Sequence, residues 1–483
     1  ERVPLIAVLP FLNLSSDAEN DYFSDGMSTE VINALARTRR LPVIARSTSF
    51  QFRGAEQDVR EIGRRLGVTH VLEGSVRRAG EQFRLTTQLV DAASGELVWS
   101  EVYQRELADV FKLQHEIASD IVDQVYLALG FENPSLQGEL ATDAFWQSRH
   151  VANPEAYDLY LQGMAMLRSD RPTLIEQAPE YFDRAIALDS EFADAWAGKG
   201  YALWVLGSSV SGSSIIPASV YPDALAAYRR ALAIEPNHAV ANGFLGLTLM
   251  LNDFQWAEGM RLLERAVQLN PNNAELLAQF GFHLDLFQME GASEVLERAH
   301  RLDPYNFYTI WALAAHLLRQ GRPMEAAALV ETALIQDREG YASNYLSAHF
   351  NLGIGRLDAA EENIRRARKV AKPVDLRLDV LQWTIDSSRS GTPPPLAEIW
   401  ERMQTEPLPF AVAWDGYRDE KTLEEYGIEK SRIVEVFELA IEQRHLQVRS
   451  ALFYYEPPLM PEGEWRRLKE ITGATQFQES QMQ

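Results

Sequence analysis

The chain has 483 residues, 46% hydrophobic and 24% charged, with a net charge of −23 and no cysteine. Length gives a prior of about three domains at roughly 150 residues each, in an ordinary globular composition. The acidic balance argues against nucleic-acid binding by this segment, because phosphate contacts need a basic patch; lack of Cys removes thiol catalysis, disulfides and Cys-ligated zinc.

Residues 1–130 read as an α/β domain. The chain opens directly at a buried-strand run, Leu5–Pro10, without an initiator Met or signal segment. A fragment is therefore expected, with any membrane anchor upstream of residue 1, since no run of about 18 apolar residues lies within it. A polar loop leads to a helical pattern from about Ser24 to Arg37, a short strand Leu41–Arg46, a helix near Gln57–Leu66 and a strand Val68–Val76. Ala79-Gly80 turns the chain into Phe83–Asp91, where Phe83, Leu85, Thr87 and Leu89 alternate as a half-buried strand should. Ala93-Ser94-Gly95 turns it again into Glu96–Tyr103, and a helix over Asp109–Leu129 carries Val110, Leu113, Ile117, Ile121 and Val125 on one face. The order βαβαβββα predicts a mixed sheet with flanking helices. Residues 131–152, with Asn133-Pro134-Ser135, read as a linker.

Beyond the linker a phrase recurs. It reads Ala231-Leu232-Ala233-Ile234-Glu235-Pro236, then Ala266-Val267-Gln268-Leu269-Asn270-Pro271, then Ala299-His300-Arg301-Leu302-Asp303-Pro304, with Ala185 to Ser190 as a fainter copy. The prolines are 35 and 33 residues apart. A period near 34 is that of a helix-turn-helix array in which no unit buries its apolar face alone. Each first helix carries a pair ending in a small residue: Lys199-Gly200, Leu245-Gly246, Phe280-Gly281 and Leu313-Ala314. Small residues also recur where the second helix should cross it, at Ala224 and Ala231, Gly259 and Ala266, Ala292 and Ala299, Ala326 and Ala333, and Ala360 and Ala367. About six units fit between 153 and 373, with a Ser- and Gly-rich insertion at Gly207–Ser219. After Thr392-Pro393-Pro394-Pro395 the periodicity decays into a C-terminal helical extension, 374–483 in all, with helices near Leu396–Met403, Glu429–Glu442 and Glu464–Ile471. The expectation is at least ten helices after residue 153, and no strand between 240 and 370.

These repeats resemble the tetratricopeptide family. The first domain resembles the TolB-like N-terminal domain in Ile6-Ala7-Val8-Leu9-Pro10-Phe11, Tyr22-Phe23-Ser24-Asp25-Gly26-Met27, Val43-Ile44-Ala45-Arg46-Ser47 and Val71-Leu72-Glu73-Gly74-Ser75-Val76-Arg77-Arg78. The resemblance implies an α/β domain followed by an all-α tetratricopeptide solenoid, as in bacterial signalling proteins whose upstream part is commonly a winged helix or a class III nucleotide cyclase. It implies a non-enzymatic sensory or interaction region of a membrane-associated signalling or transcription-regulatory protein. The rival reading is a structural envelope-assembly protein of the TolB-like class. The expected location is the periplasmic side of a bacterial inner membrane, with the cytoplasm as the alternative.

Candidate sites are few. Tyr201, Trp204, Phe282, Tyr308, Trp311 and Tyr345 fall at inner-face positions of successive first helices and are expected to line a groove for a protein or peptide. The occupant is expected to be the segment after Pro393 or another molecule, a second copy included. Arg46, Ser47, Thr48 and Arg53 follow a short strand and make a candidate anion site, with turn and packing roles as the alternative. The acidic run Asp17, Glu19, Asp21, Asp25 fails the calcium-loop pattern, since Tyr22 and Ser28 stand where Gly and Glu are needed. His115-Glu116 has Ser119 where a zinc-binding helix needs its second His. No phosphate-binding glycine loop or nucleophile motif is found. No metal, cofactor or catalytic residue is expected in this segment.

Overall fold

Alternation builds the first layer. In the computed structural model, strand β1 (Ile6–Val8) sends Ile6 and Val8 into one core and Ala7 into another. The structure describes residues 4–15, 21–131, 153–392 and 462–481, apart from 39, 55–57, 80–81, 107–109, 168–170, 209–214, 216, 337 and 372–374, with isolated positions between 395 and 441. The expected linker, most of the 207–219 insertion, the expected helices near 396–403 and 429–442, and Asp17 and Glu19 of the acidic run therefore lie outside the described residues.

After β1 come β2 (Leu12–Asn13), α1 (Asp21–Ala36), the short α2 (Arg46–Ser49), α3 (Val59–Leu66), β3 (His70–Ala79), β4 (Gln82–Asp91), β5 (Leu97–Glu106) and α4 (Val110–Ala128). β1 and β2 both pair with β3 in parallel, and β3, β4 and β5 form an antiparallel meander. One face of this mixed sheet packs Leu72, Val76, Leu85, Leu89 and Tyr103 against Met27, Val31 and Leu35 of α1 and Ile117, Ile121 and Val125 of α4. The other face, around Ala7 and Val71, meets Ile62 and Leu66 of α3. The strand expected over Leu41–Arg46 is reduced to a single bridge between Ile6 and Val43. The Ile6 N–H donates to the Pro42 carbonyl and the Ile44 N–H to the Ile6 carbonyl, but the next free amide, Ala45 N–H, turns away and donates to Leu302 in the helical array at 2.7 Å.

That array consists of helix pairs. They are α5 (Pro154–Leu167) with α7 (Ala178–Leu188), the short α6 (Pro172–Ile175) lying between; α8 (Ala193–Gly207) with α9 (Tyr221–Ile234); α10 (Ala239–Asn252) with α11 (Trp256–Leu269); α12 (Ala274–Leu286) with α13 (Ala292–Leu302); α14 (Phe307–Arg319) with α15 (Pro323–Gln336); and α16 (Tyr341–Gly353) with α17 (Leu357–Val370). The described residues between 240 and 370 are helices and turns, without a strand. Each pair closes at a small residue. A Cβ at Gly200 would lie 2.6 Å from the Tyr228 ring, at Gly246 it would lie 2.5 Å from the Gly259 carbonyl oxygen, and at Gly281 2.8 Å from Leu296. Asn273 and Asn306 begin the α12 and α14 helices by accepting from Leu276 N–H and Tyr308 N–H. The last unit is sealed by α18 (Leu376–Ser390), whose Asp375 cap is buried with Arg377 at 2.9 Å and accepts from Tyr341 Oη at 2.7 Å.

Candidate interaction surfaces

The inner-face aromatics do not form one stripe. Tyr201 and Trp204 stack at 6.3 Å on α8, and both meet Phe244 of α10 edge-on at 4.8 and 5.0 Å. Phe282 of α12 packs on Trp311 of α14 at 5.1 Å, and Trp311 lies 5.8 Å from Tyr308. Tyr345 stands apart, stacked on Tyr341 within the core of the last pair. An inner-face ring on one first helix reaches the first helix of the next unit and buries itself there. Trp204 and Phe282 are accordingly buried, Tyr345 is buried within its own pair, and Tyr201, Tyr308 and Trp311 are half-buried. The hydroxyls bridge units as well: Tyr201 donates to Glu275 at 2.7 Å and Tyr308 to Gln279 at 2.8 Å. Phe244, which links the first cluster, was not among the residues expected from sequence; its only signal is an apolar inner position facing Tyr201 one unit earlier.

The four residues of the candidate anion site divide between two carboxylates of the chain itself. Arg53 pairs with Asp25, and Arg46 lies 3.9 Å from the same carboxylate and 3.7 Å over the Phe50 ring. Ser47 and Thr48 donate to the two oxygens of Asp303, the latter at 2.7 Å. Asp303 sits in the turn between α13 and α14, so this contact joins the sheet domain to the array. The same turn accepts the Ala45 N–H at Leu302, and Tyr305 N–H donates to Thr48 Oγ1 at 3.3 Å. One unit earlier, Asn272 donates its N–H to Ala36 at 3.0 Å and its side-chain amide to Thr38 at 2.5 Å, while its carbonyl oxygen accepts from Arg298 at 2.9 Å. Two successive inter-unit turns thus hold the end of α1 and the start of α2.

The opposite edge of the array carries the C-terminal helices α19 (Glu462–Ile471) and α20 (Ala474–Gln481). The Trp256 indole N–H donates to the Thr472 carbonyl at 2.7 Å, and Phe287 meets Phe477 edge-on at 4.8 Å. Leu468 and Ala474 are fully buried there. Phe254 and Gln288, in the turns within those two units, adopt φ of 54° and 55°, where the next two units place Gly321 and Gly355. A non-glycine residue in that region costs about 1 kcal/mol or more. Residues 462–481, the described part of the segment after Pro393, therefore cover the array along the edge at Trp256 and Phe287.

The histidines in the array serve packing. His238 Nδ1 accepts from Ala241 N–H at the start of α10 while Nε2 lies 3.0 Å from Asp194. His283 Nδ1 is 2.7 Å from the Gln279 carbonyl, and His316 sits between Asp285 and Gln320 at 2.8 Å each. Burial and the charge of Arg322 keep His316 below the ordinary imidazole range. Among the described residues no cluster of three metal-ligating side chains occurs, and no helix is long and apolar enough to cross a membrane.

Residues 2–120 match a family model described as HilA/YgeH-like transcriptional regulator, second domain, and residues 312–375 match the tetratricopeptide repeat. The chain is 37% identical over 196 residues to "Putative adenylate cyclase 3" of Rhizobium meliloti (strain 1021), over 40% of this chain and 32% of that protein. It thus spans about a third of the length of the curated relative it matches. Among solved structures, Pseudomonas aeruginosa PilF is 20% identical with a TM-score of 0.32, covering 47% of this chain and 97% of its own. TolB from Acinetobacter baumannii is 19% identical with a TM-score of 0.21, covering 27% and 29%. Both structural likenesses are too slight to carry an argument. The array contains tetratricopeptide repeats, which generally mediate protein or peptide binding, and the sheet domain is similar to the HilA/YgeH-like second domain.

Proposed function

We propose that this chain is the non-enzymatic sensory and interaction region of a bacterial signalling or transcription-regulatory protein, with a TolB-like sheet domain and a tetratricopeptide array acting together on an output domain elsewhere. The observation that supports it most is the pairing of two matches: a transcriptional-regulator domain over residues 2–120 and a relative named for adenylate cyclase. Two different outputs can share such a region only if it works by contact. The half-buried rings of Tyr201, Tyr308 and Trp311 suit that role, since each keeps part of its surface in solvent, and Glu275 and Gln279 position the two tyrosines.

A displayed peptide library selected on the purified chain tests this reading. Selected peptides should lose at least about tenfold in affinity on Trp311→Ala or Tyr201→Ala, the loss of about 1.4 kcal/mol expected of an interface anchor. Circular dichroism should remain unchanged. Selected peptides indifferent to both substitutions, or turnover of ATP or GTP by residues 1–483, would overturn the proposal.

A further inference from the structure

We propose that Asp303 is a proton-operated latch that holds the sheet domain on the helical array. The geometry comes first. Its carboxylate is 4% exposed and accepts from Ser47 Oγ and Thr48 Oγ1, donors some 255 positions away in sequence. Around it, Ala45 N–H to Leu302 and Asn272 N–H to Ala36 are the backbone bonds that cross the junction. Apolar contacts flank it: Leu5 and Ala45 pack against the array cluster that includes Leu277 and Leu302, and Tyr305 against the sheet-domain cluster that includes Ile44 and Phe52. Of the buried polar side chains that join the two domains, Thr48, Asn272 and Asp303, only Asp303 can ionise.

Among the described residues no cation pairs with that carboxylate. The groups that meet Asp303 from the sheet domain, Ser47 and Thr48, are neutral, as are Asn306 and Thr309 from the start of α14. Two of the arginines on the same elements are engaged elsewhere. Arg46 faces Asp25 and the Phe50 ring, and Arg298 donates to Asn272. On α13, burial and the adjacent Arg301 hold His300 below the ordinary imidazole range, so it adds no positive charge near neutrality. Burial pushes the Asp303 carboxyl up, and the hydrogen bonds from Ser47, Thr48 and Asn306 pull it only part of the way back, to about 6.

The sign follows from linkage. Undocking gives the carboxylate back to water, where it titrates near the ordinary 3.8. The docked state therefore binds the proton more tightly. Docking is strongest in acid and weakens as pH rises through about 6. Between pH of about 7.5 and about 5 the docking equilibrium should tighten about tenfold. The turn that carries Asp303 leads directly into α14, which bears Tyr308 and Trp311. Release of the latch would thus reach the surface proposed to meet a partner.

Hydrogen exchange on the full chain, corrected for intrinsic rates, reads the junction directly. Amides in 45–49, 270–273 and 302–306 should be about tenfold better protected at the acid pH, while those in α5 and α7, in the first unit of the array, should not change. Asp303→Asn, which cannot ionise, should hold the same junction protection at both pH values. Thr48→Val removes a donor to the carboxylate, so the midpoint should move upward. Should Asp303→Asn loosen the junction at both pH values, Thr48→Val decides: an upward shift supports the latch and an unmoved midpoint overturns it. The proposal also fails if wild-type protection is flat with pH, if the response survives in Asp303→Asn, or if α5 and α7 respond equally.

Discussion

Replacing Gly246 with Ala isolates the packing logic of the repeats. In an exposed helix interior that substitution is favourable by about 1 kcal/mol, because Gly loses the most backbone freedom on folding. Here the added Cβ would stand 2.5 Å from the Gly259 carbonyl oxygen and 3.1 Å from Leu262 Cβ. That is roughly 1 Å short of normal contact, and the obstacle is backbone, so α10 and α11 must separate. Overpacking of this kind costs about 1–3 kcal/mol, which leaves a net loss of about 1 kcal/mol after the propensity gain. Gly353→Ala is the control. It too lies on a first helix, as the last residue of α16, but nothing lies within 4 Å of its added Cβ and its φ is not left-handed. There the gain should survive, at about 0.5–1 kcal/mol of added stability.

Urea unfolding followed by far-UV dichroism ranks the two variants. Hydrogen exchange across α10 and α11 should accompany it, because unfolding of a repeat array need not be two-state. The midpoint should fall for Gly246→Ala and rise slightly for Gly353→Ala. Equal midpoints, or a more stable Gly246→Ala, would refute the claim that these glycines exist to let helix backbones approach.

Arg377→Ala should cost about 3–5 kcal/mol, since it leaves Asp375 buried without its cation. It should also reverse the pH response. In the wild type, burial would raise the Asp375 carboxyl, but Arg377 and the hydrogen bonds outweigh it and hold it below the usual range, so its contribution is lost only as pH falls below that range. In the variant, burial dominates and stability should instead decline as pH rises, a sign change that melting curves across pH would detect. Deleting 393–483 should uncover Trp256 and Phe287 and raise the binding of a hydrophobic dye; unchanged dye binding in a monomeric product would count against cover by α19 and α20. Calorimetry with ATP should give no stoichiometric complex, and a defined one would contradict the proposed non-enzymatic role.

The helical array was legible because its signal is covalent spacing. The recurring Ala and Pro, and the small residue in each first helix, mark turns and crossings that every unit must repeat, whatever else the chain does. Gly200, Gly246 and Gly281 each receive a neighbour where the pattern placed one. The β3–β4–β5 meander was legible for a similar reason, since alternation and two short turns are local. What failed was non-local. Leu41–Arg46 has the composition of a strand, yet its Ala45 amide is claimed by Leu302 on another domain, and the sheet loses that strand after one bridge. β2, two residues long, carries no periodicity to read.

The same distinction separates the candidate surfaces. Equivalent inner positions were expected to add up to one aromatic groove, but equivalence within a repeat fixes only where a side chain starts. Trp204 and Phe282 end against the next unit, and Tyr345 ends in the core of its own. Conversely, Asp189, Glu235, Asn270 and Asp303 occupy one place in four successive phrases and look interchangeable in sequence. Asp189 and Glu235 remain partly exposed, whereas Asp303 is almost fully buried. Nothing within its own repeat distinguishes it. Its role is set by Ser47 and Thr48, which the sequence marked as hydroxyls beside a strand end in search of an anion. The anion was the chain's own. Periodicity therefore locates the surfaces that repeats must share, and a departure from it, here one turn recruited by a separate domain, is where the two domains can be coupled.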